Sequence, residues 1–242
     1  MKFGVQLYSL RKIGEKEGLE FILKMVSDCG YEGVEFAGFY GHSPLEVKEL
    51  CEKYNLVPYS AHIGADNIEE NLEYIKTLGF KVVYTAGIFG ENWEGENYKV
   101  QLENHKKANE LLNSIGVEFG YHNHSHEYVD GNDYVNKITT DVKGMKIESD
   151  LCWITNAKLN VVEKLKEYEG RLKCIHVKEL ASLENRDLPV PIIGEGIVDM
   201  AGAFKEVKRQ NIEWGILEVE RFDIPAKEYL LKSLDNMKKL WE

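Results

Sequence analysis

Eight short apolar runs, each followed by a longer stretch with helical spacing, constrain this chain more than any other feature. The runs are Phe3–Tyr8, Gly33–Phe36, Val57–Ile63, Lys81–Ala86, Val117–Tyr121, Met145–Ile147, Lys173–Val177 and Trp214–Val219. Several, such as Cys174-Ile175-His176-Val177, carry one polar residue near the C-terminal end. Such runs suit parallel strands buried on both faces. Helical periodicity fills the gaps: Leu19, Ile22, Leu23 and Val26; Leu45, Val47, Leu50 and Cys51; Ile68, Leu72, Ile75 and Leu78; then Lys99–Ile115, Val135–Ile138, Val161–Leu165, Met200–Val207 and Ala226–Leu240. Gly30, Gly79, Gly116 and Gly170 follow helical stretches as C-terminal caps, and Ser43-Pro44 and Asp66 stand where helices should start. Strand then helix, eight times in 242 residues, predicts an α/β fold: one closed (β/α)8 TIM barrel, a single domain over residues 1–242. A doubly wound open sheet is the competing reading, but no Gly-x-Gly-x-x-Gly follows the first run.

Composition narrows the function classes. Apolar residues make up 43% of the chain, enough for a large core, and the formal net charge is −11. That balance disfavours nucleic-acid backbones and anionic membranes, but not a small ligand held at a local cation. Cys29, Cys51, Cys152 and Cys174 show no CxxC spacing and read as buried reduced thiols. Met1 leads directly into a strand-like run, and no apolar stretch approaches the ~20 residues of a bilayer span. A cytoplasmic location is therefore expected, with no membrane partner and with room for a homo-oligomer.

In a barrel of this type the chemistry sits at the C-terminal ends of the strands. His122, Asp150, His176 and Glu218 end four consecutive runs, so they can converge on one divalent metal ion. Mixed imidazole and carboxylate ligands suit Mn, Co, Zn or Fe better than Ca, with Mg also admitted. His124 should share a face with His122 if the strand extends, as ligand, proton shuttle or substrate contact. His126 and Glu127 lie beyond the strand, over the pocket or, for His126, in solvent; His42 and His105 read as surface residues. Lys178, two residues past His176, can stabilise an oxyanion. Gln6, Glu35, His62 and Arg221 end other runs and are expected to contact substrate, with Trp153 as an apolar wall. Gly194-Glu195-Gly196 permits close backbone approach but does not read as a phosphate loop.

Taken together, Gly4–Arg11, Gly30–Glu35, Tyr121-His122-Asn123-His124, Asp150–Trp153, Gly170-Arg171-Leu172, His176-Val177-Lys178, Gly194–Gly196 and Trp214–Glu218 resemble the sugar phosphate isomerase/epimerase family of xylose isomerase-like barrels. The resemblance covers nearly the whole chain, and its Tyr-His-Asn-His branch is similar to inosose dehydratase. It implies a metal site of Glu, Asp, His and Glu. Asp150, His176 and Glu218 match the last three, His122 stands where the first glutamate is expected, and Glu179 replaces an aspartate.

The implied activity is a metal-dependent isomerase or epimerase acting on a small sugar, sugar phosphate or keto-polyol by proton abstraction next to a carbonyl. Glu218, His124, Glu127 and Lys178 are the expected catalytic groups. A lyase or dehydratase on a keto-sugar or inosose is the alternative, since His122 removes one of the two glutamates that epimerisation uses. An abasic-site endonuclease and a non-catalytic sugar-binding barrel are weaker readings: the first conflicts with the acidic balance, the second with Asp150, His176, Lys178 and Glu218 occurring together.

Overall fold

The computed structural model describes every residue except Arg186 and the side chain of Glu91. Eight strands form a closed parallel barrel: β1 Lys2–Gln6, β2 Gly33–Phe36, β3 Val57–His62, β4 Val82–Thr85, β5 Glu118–His122, β6 Lys146–Asp150, β7 Leu172–Val177 and β8 Trp214–Leu217. They pair in chain order, and β8 closes on β1. Outside them run α1 Arg11–Glu17, α2 Leu19–Asp28, α3 Pro44–Lys53, α4 Leu72–Leu78, α5 Gly95–Ser114, α6 Tyr134–Asp141, α7 Leu151–Asn156, α8 Val161–Glu167, α9 Met200–Arg209 and α10 Ala226–Trp241. The expected single TIM barrel is the fold observed.

The helices bury the stripe their spacing dictates: Leu19, Ile22, Leu23 and Val26 on α2, and Met200, Ala203, Phe204 and Val207 on α9. Ser43 caps α3 through a reciprocal capping box with Glu46, and Gly79 closes α4 in the left-handed region at φ 68°. Asp66 does not cap a helix. It lies in a 3-10 turn, Ala65–Asn67, and α4 begins only at Leu72.

Inside the barrel, large and small residues alternate between strands. Tyr59, Val82, Tyr84, Cys174, Trp214 and Ile216 form a cluster separate from the outer core. Tyr59 stacks on Trp214 with centroids 4.8 Å apart, β3 against β8. Glycines make the room. A Cβ on Gly33 would meet the Trp214 ring at 2.8 Å, one on Gly4 would meet Ile216 at 2.7 Å, and one on Gly120 would meet Tyr84 at 2.5 Å. Two residues further along the same strands stand Gln6, Glu35 and His122. The period of two therefore stacks a polar layer directly on the apolar one. Register shifts at Val34/Glu35 and Ile147/Glu148 fall within this transition.

Strand ends differ from the sequence expectation in part. β6 runs to Asp150, as expected, although its apolar run stops at Ile147: Glu148 and Asp150 face the polar layer, not solvent. β1 stops at Gln6, where a 3-10 turn over Leu7–Leu10 takes over. β8 ends at Leu217, although the Glu218 amide still donates to the Val177 carbonyl at 3.2 Å. His105 is not a surface residue. It is buried on α5, and its Nδ1 lies 2.6 Å from the Gln101 carbonyl.

The long connection after β7 is anchored by Glu179. Its buried carboxylate accepts from the backbone amides of Leu180 at 3.1 Å, Gly194 at 3.0 Å and Val198 at 3.0 Å. Burial raises the Glu179 pKa against these bonds. A Cβ on Gly196 would collide with this carboxylate. The Gly-Glu-Gly motif thus wraps a side chain of the protein itself, and in doing so secures the backbone next to Lys178. Glu179→Ala should strand these amides and cost about 3 kcal/mol. Gly120→Val should cost about 1–3 kcal/mol by overpacking against Tyr84. At roughly 2–4 °C per kcal/mol for a chain of this size, thermal denaturation should register both, and unchanged midpoints would contradict the packing described.

Candidate metal centre

The polar layer is a continuous network of imidazoles and carboxylates. Glu35 Oε1 lies 2.7 Å from His176 Nε2 and accepts from Gln6 Nε2 at 2.7 Å, while its Oε2 accepts from Ser60. Glu148 Oε2 lies 2.6 Å from His62 Nε2, 3.1 Å from His122 Nδ1 and 3.1 Å from His176 Nε2. His176 Nδ1 lies 3.1 Å from Glu218 Oε2. Lys178 Nζ, just above, donates to Glu220 at 2.9 Å and to Glu218 at 3.5 Å, and stands 4.0 Å from Asp150. All of these groups but His62 and Glu220 are buried.

Two overlapping sets of side chains in this network could hold a metal ion. His122, Asp150, His176 and Glu218 offer ligand atoms that all lie within 4.8 Å of one another; so do His62, His122, Glu148 and His176. The first set is the one expected from the strand ends. The second contains Glu148, which the sequence reading missed because the apolar run was ended at Ile147. Counting back two residues from Asp150 along the strand would have found it. The donor chemistry of the first set fits a divalent ion. Asp150 Oδ2 is buried without a hydrogen-bond partner, and two carboxylates balance the ion's charge. The other oxygen of Asp150 accepts from the Trp153 amide at 2.9 Å, and its backbone is pinned by Asn123, whose Oδ1 accepts from the Asp150 amide at 2.9 Å. Asn123, also missed, works through backbone contacts that residue type does not reveal.

Burial and neighbouring charge set the protonation states. Burial lifts the Asp150 carboxyl to about 7, against the pull of Lys178. Burial disfavours charge on Glu218 as well, but Lys178 and His176 outweigh it and hold its pKa well below the usual carboxylate range. Burial pushes His122 far down, so its ring is neutral, as a ligand requires. Burial likewise opposes charge on His62 and His176. There the carboxylates of Glu35 and Glu148 win, taking His62 to about 10 and His176 well up.

The remaining expected site residues surround a mouth of about 290 Å³, lined by Gln6, Tyr8, His62, His122, His124, Lys178, Glu218 and Glu220. His124 follows the end of β5 in extended backbone, with its ring 4.9 Å from that of His122 and 5.7 Å from Trp153. Burial lowers its pKa to about 4, and its Nδ1 has no hydrogen-bond partner. Glu127 does not bend over the mouth. It is buried behind His124, accepting from the His124 amide at 2.7 Å and from the Tyr121 hydroxyl at 3.0 Å. His126 is not freely solvated, since its ring stacks on Phe89 at 4.3 Å. The Trp153 ring lies 4.5 Å from Lys178 Nζ. Arg221 is at the rim, where its guanidinium donates to the carbonyls of Asp187 and Leu188. Among the described residues no helix is long and apolar enough to cross a membrane. All four cysteines are buried free thiols.

Comparisons with known proteins agree with this architecture. An inosose dehydratase of Clostridium botulinum (strain Alaska E43 / Type E3) is 21% identical over 270 residues, covering 93% of this chain and 91% of the relative. A sugar phosphate isomerase/epimerase from Parabacteroides distasonis superposes with a TM-score of 0.77 at 20% identity, covering 100% of this chain and 95% of its own. The IolI protein solved with a bound zinc atom superposes with a TM-score of 0.80 at 16% identity, covering 100% and 98%. At such identities the structural matches show the fold alone. The family profile described as Xylose isomerase-like TIM barrel matches residues 23–240, and the chain belongs to that family.

Proposed function

We propose that this protein is a divalent-metal-dependent isomerase or epimerase that abstracts a proton next to the carbonyl of a keto-sugar or keto-polyol. The observation that carries the reading is the convergence of His122, Asp150, His176 and Glu218 within 4.8 Å beneath the mouth. These four side chains would hold the ion. When bound there, it supplies a Lewis acid that polarises a carbonyl and an adjacent hydroxyl. The inosose dehydratase, isomerase/epimerase and zinc-bearing relatives support small polyhydroxylated substrates and a metal.

The chain's own residues supply the proton chemistry. Glu218 is the ionised carboxylate at the mouth and takes the proton from carbon. Lys178 stays cationic beside Glu218, Asp150 and Glu220, its pKa raised by these carboxylates against the effect of burial. It offsets negative charge that develops on the substrate oxygen. His124 is neutral near pH 7 and its Nδ1 is buried without a hydrogen-bond partner, so the ring accepts a proton more readily than it donates one. That suits a second base reaching the substrate from another side. Glu127 acts through His124, by holding its backbone. Gln6 and His62 line the mouth with Lys178 and would face substrate hydroxyls, with Trp153 against an apolar sugar face.

Elimination of water is the second reading. One observation favours it: the inner carboxylates, Glu35 and Glu148, are buried and bonded to Gln6, Ser60 and three histidines, leaving Glu218 and Glu220 as the carboxylates lining the mouth. Glu220 is tied to Lys178 Nζ at 2.9 Å, so Glu218 is the base that remains, and one carboxylate base with a leaving hydroxyl fits a dehydratase.

Solvent exchange tests the reading. In D2O with Mn²⁺, a keto-sugar that is turned over should gain deuterium at the carbon next to its carbonyl, and Glu218→Gln should slow this by about 10²–10⁴-fold. His124→Ala should slow turnover more than it slows exchange. Turnover without exchange sinks proton abstraction. Equal rates in wild type and His124→Ala would remove His124 from the mechanism.

A further inference from the structure

Next to the mouth lies a second cavity that the proton chemistry leaves unused. It measures about 300 Å³, the lower end of the range for small-molecule sites. Lys178 and Glu220 line both cavities, so the two are lobes of one cleft divided by this ion pair, whose atoms are 2.9 Å apart. The lobes differ in character. The mouth is walled by histidines, carboxylates and an amide, whereas the second lobe is mainly apolar, with Trp153, Leu188, Val190, Pro191 and Val219 beside Asn185 and Arg221. Trp153 links them: it lines the apolar lobe while its ring stands 5.7 Å from that of His124.

Charge disfavours one common kind of substrate tail. A phosphate would need uncommitted cations. Lys178 is engaged by Glu220 and Glu218, and the Arg221 guanidinium by the carbonyls of Asp187 and Leu188 and by Asp223 at 3.4 Å. Arg11 donates to the carbonyls of Tyr8 and Glu220. The carboxylates lining the two lobes are Glu179, Glu218 and Glu220, which repel an anion.

Resting on the keto-sugar reading of the mouth, we infer that the substrate is uncharged and bipartite: a polyol ring over the polar layer, carrying an apolar group of aryl size seated in the lobe of Trp153, Leu188, Val190 and Pro191. The name of the isomerase family points to sugar phosphates, and this cleft selects against them. An apolar group in this lobe would lose water-exposed surface against Trp153, Leu188, Val190 and Pro191, which favours binding without any new charge pair.

Calorimetric titration of the Mn²⁺-loaded protein with phenyl β-glucoside, methyl β-glucoside and glucose 6-phosphate tests this. The phenyl compound should bind about tenfold or more tightly than the methyl one, and the phosphate should bind no better than methyl. Leu188 is 42% exposed, so Leu188→Asp should fold normally, with a thermal midpoint near that of wild type. In that variant the phenyl-to-methyl ratio should fall to near one. Equal affinity for the two glucosides, no binding of the phenyl compound, preference for the phosphate, or a preference that survives Leu188→Asp would each overturn the inference. Because binding is read without turnover, a ratio near one in a protein that still exchanges deuterium sinks only this inference. A high ratio without exchange sinks only the proton chemistry.

Discussion

A layer of charged and polar side chains lies inside this barrel, stacked on an apolar layer by the strand period of two. Gly4 and Gln6, Gly33 and Glu35, Gly120 and His122, Cys174 and His176, and Ile216 and Glu218 stand two residues apart along the barrel wall, Glu218 one residue past the end of β8. The lower member of each pair makes or fills the apolar interior; the upper member joins the network. Buried charges persist only when paired, and here each carboxylate of the layer meets an imidazole, an amide, a hydroxyl or Lys178. The glycines allow Trp214, Tyr84 and Ile216 to fill the barrel below, which fixes the floor on which the network stands.

On the proposed function, the network has two states, one internally paired and one that would bind a cation. His176 touches Glu35, Glu148 and Glu218, so its proton neutralises a site that otherwise carries excess negative charge. A divalent ion would take over that role. Asp150 Oδ2, buried with no hydrogen-bond partner and with Lys178 Nζ no nearer than 4.0 Å, is the group with most to gain. Asn123 and Trp153 hold Asp150 from the other side, which keeps its free oxygen aimed without using it.

Much of this was legible in residue order. The closed barrel follows from eight strand-helix alternations, and polar residues at strand ends pointed to His122, Asp150, His176 and Glu218. What escaped has physical causes. Glu148 was hidden because a run of apolar residues was used to mark the strand, and this strand turns polar while still inside the barrel. Glu127 seemed available because it lies beyond β5, yet the chain folds back and buries it under His124. His105 looked like a surface residue on a polar helix, but its place facing Phe119 depends on how α5 lies on the barrel. Roles carried by backbone contacts, such as those of Asn123 and Glu179, leave no mark in residue type.

The proposed function requires one ion in the upper set of ligands, not in the inner set of His62, His122, Glu148 and His176. Anomalous diffraction from crystals of the Mn²⁺-loaded protein, recorded on both sides of the manganese edge, locates the ion directly. One peak per chain, about 2.0–2.3 Å from donor atoms of His122, Asp150, His176 and Glu218, is the predicted result. A peak bonded to His62 and Glu148 in place of Asp150 and Glu218, or no peak at full manganese loading, would contradict it.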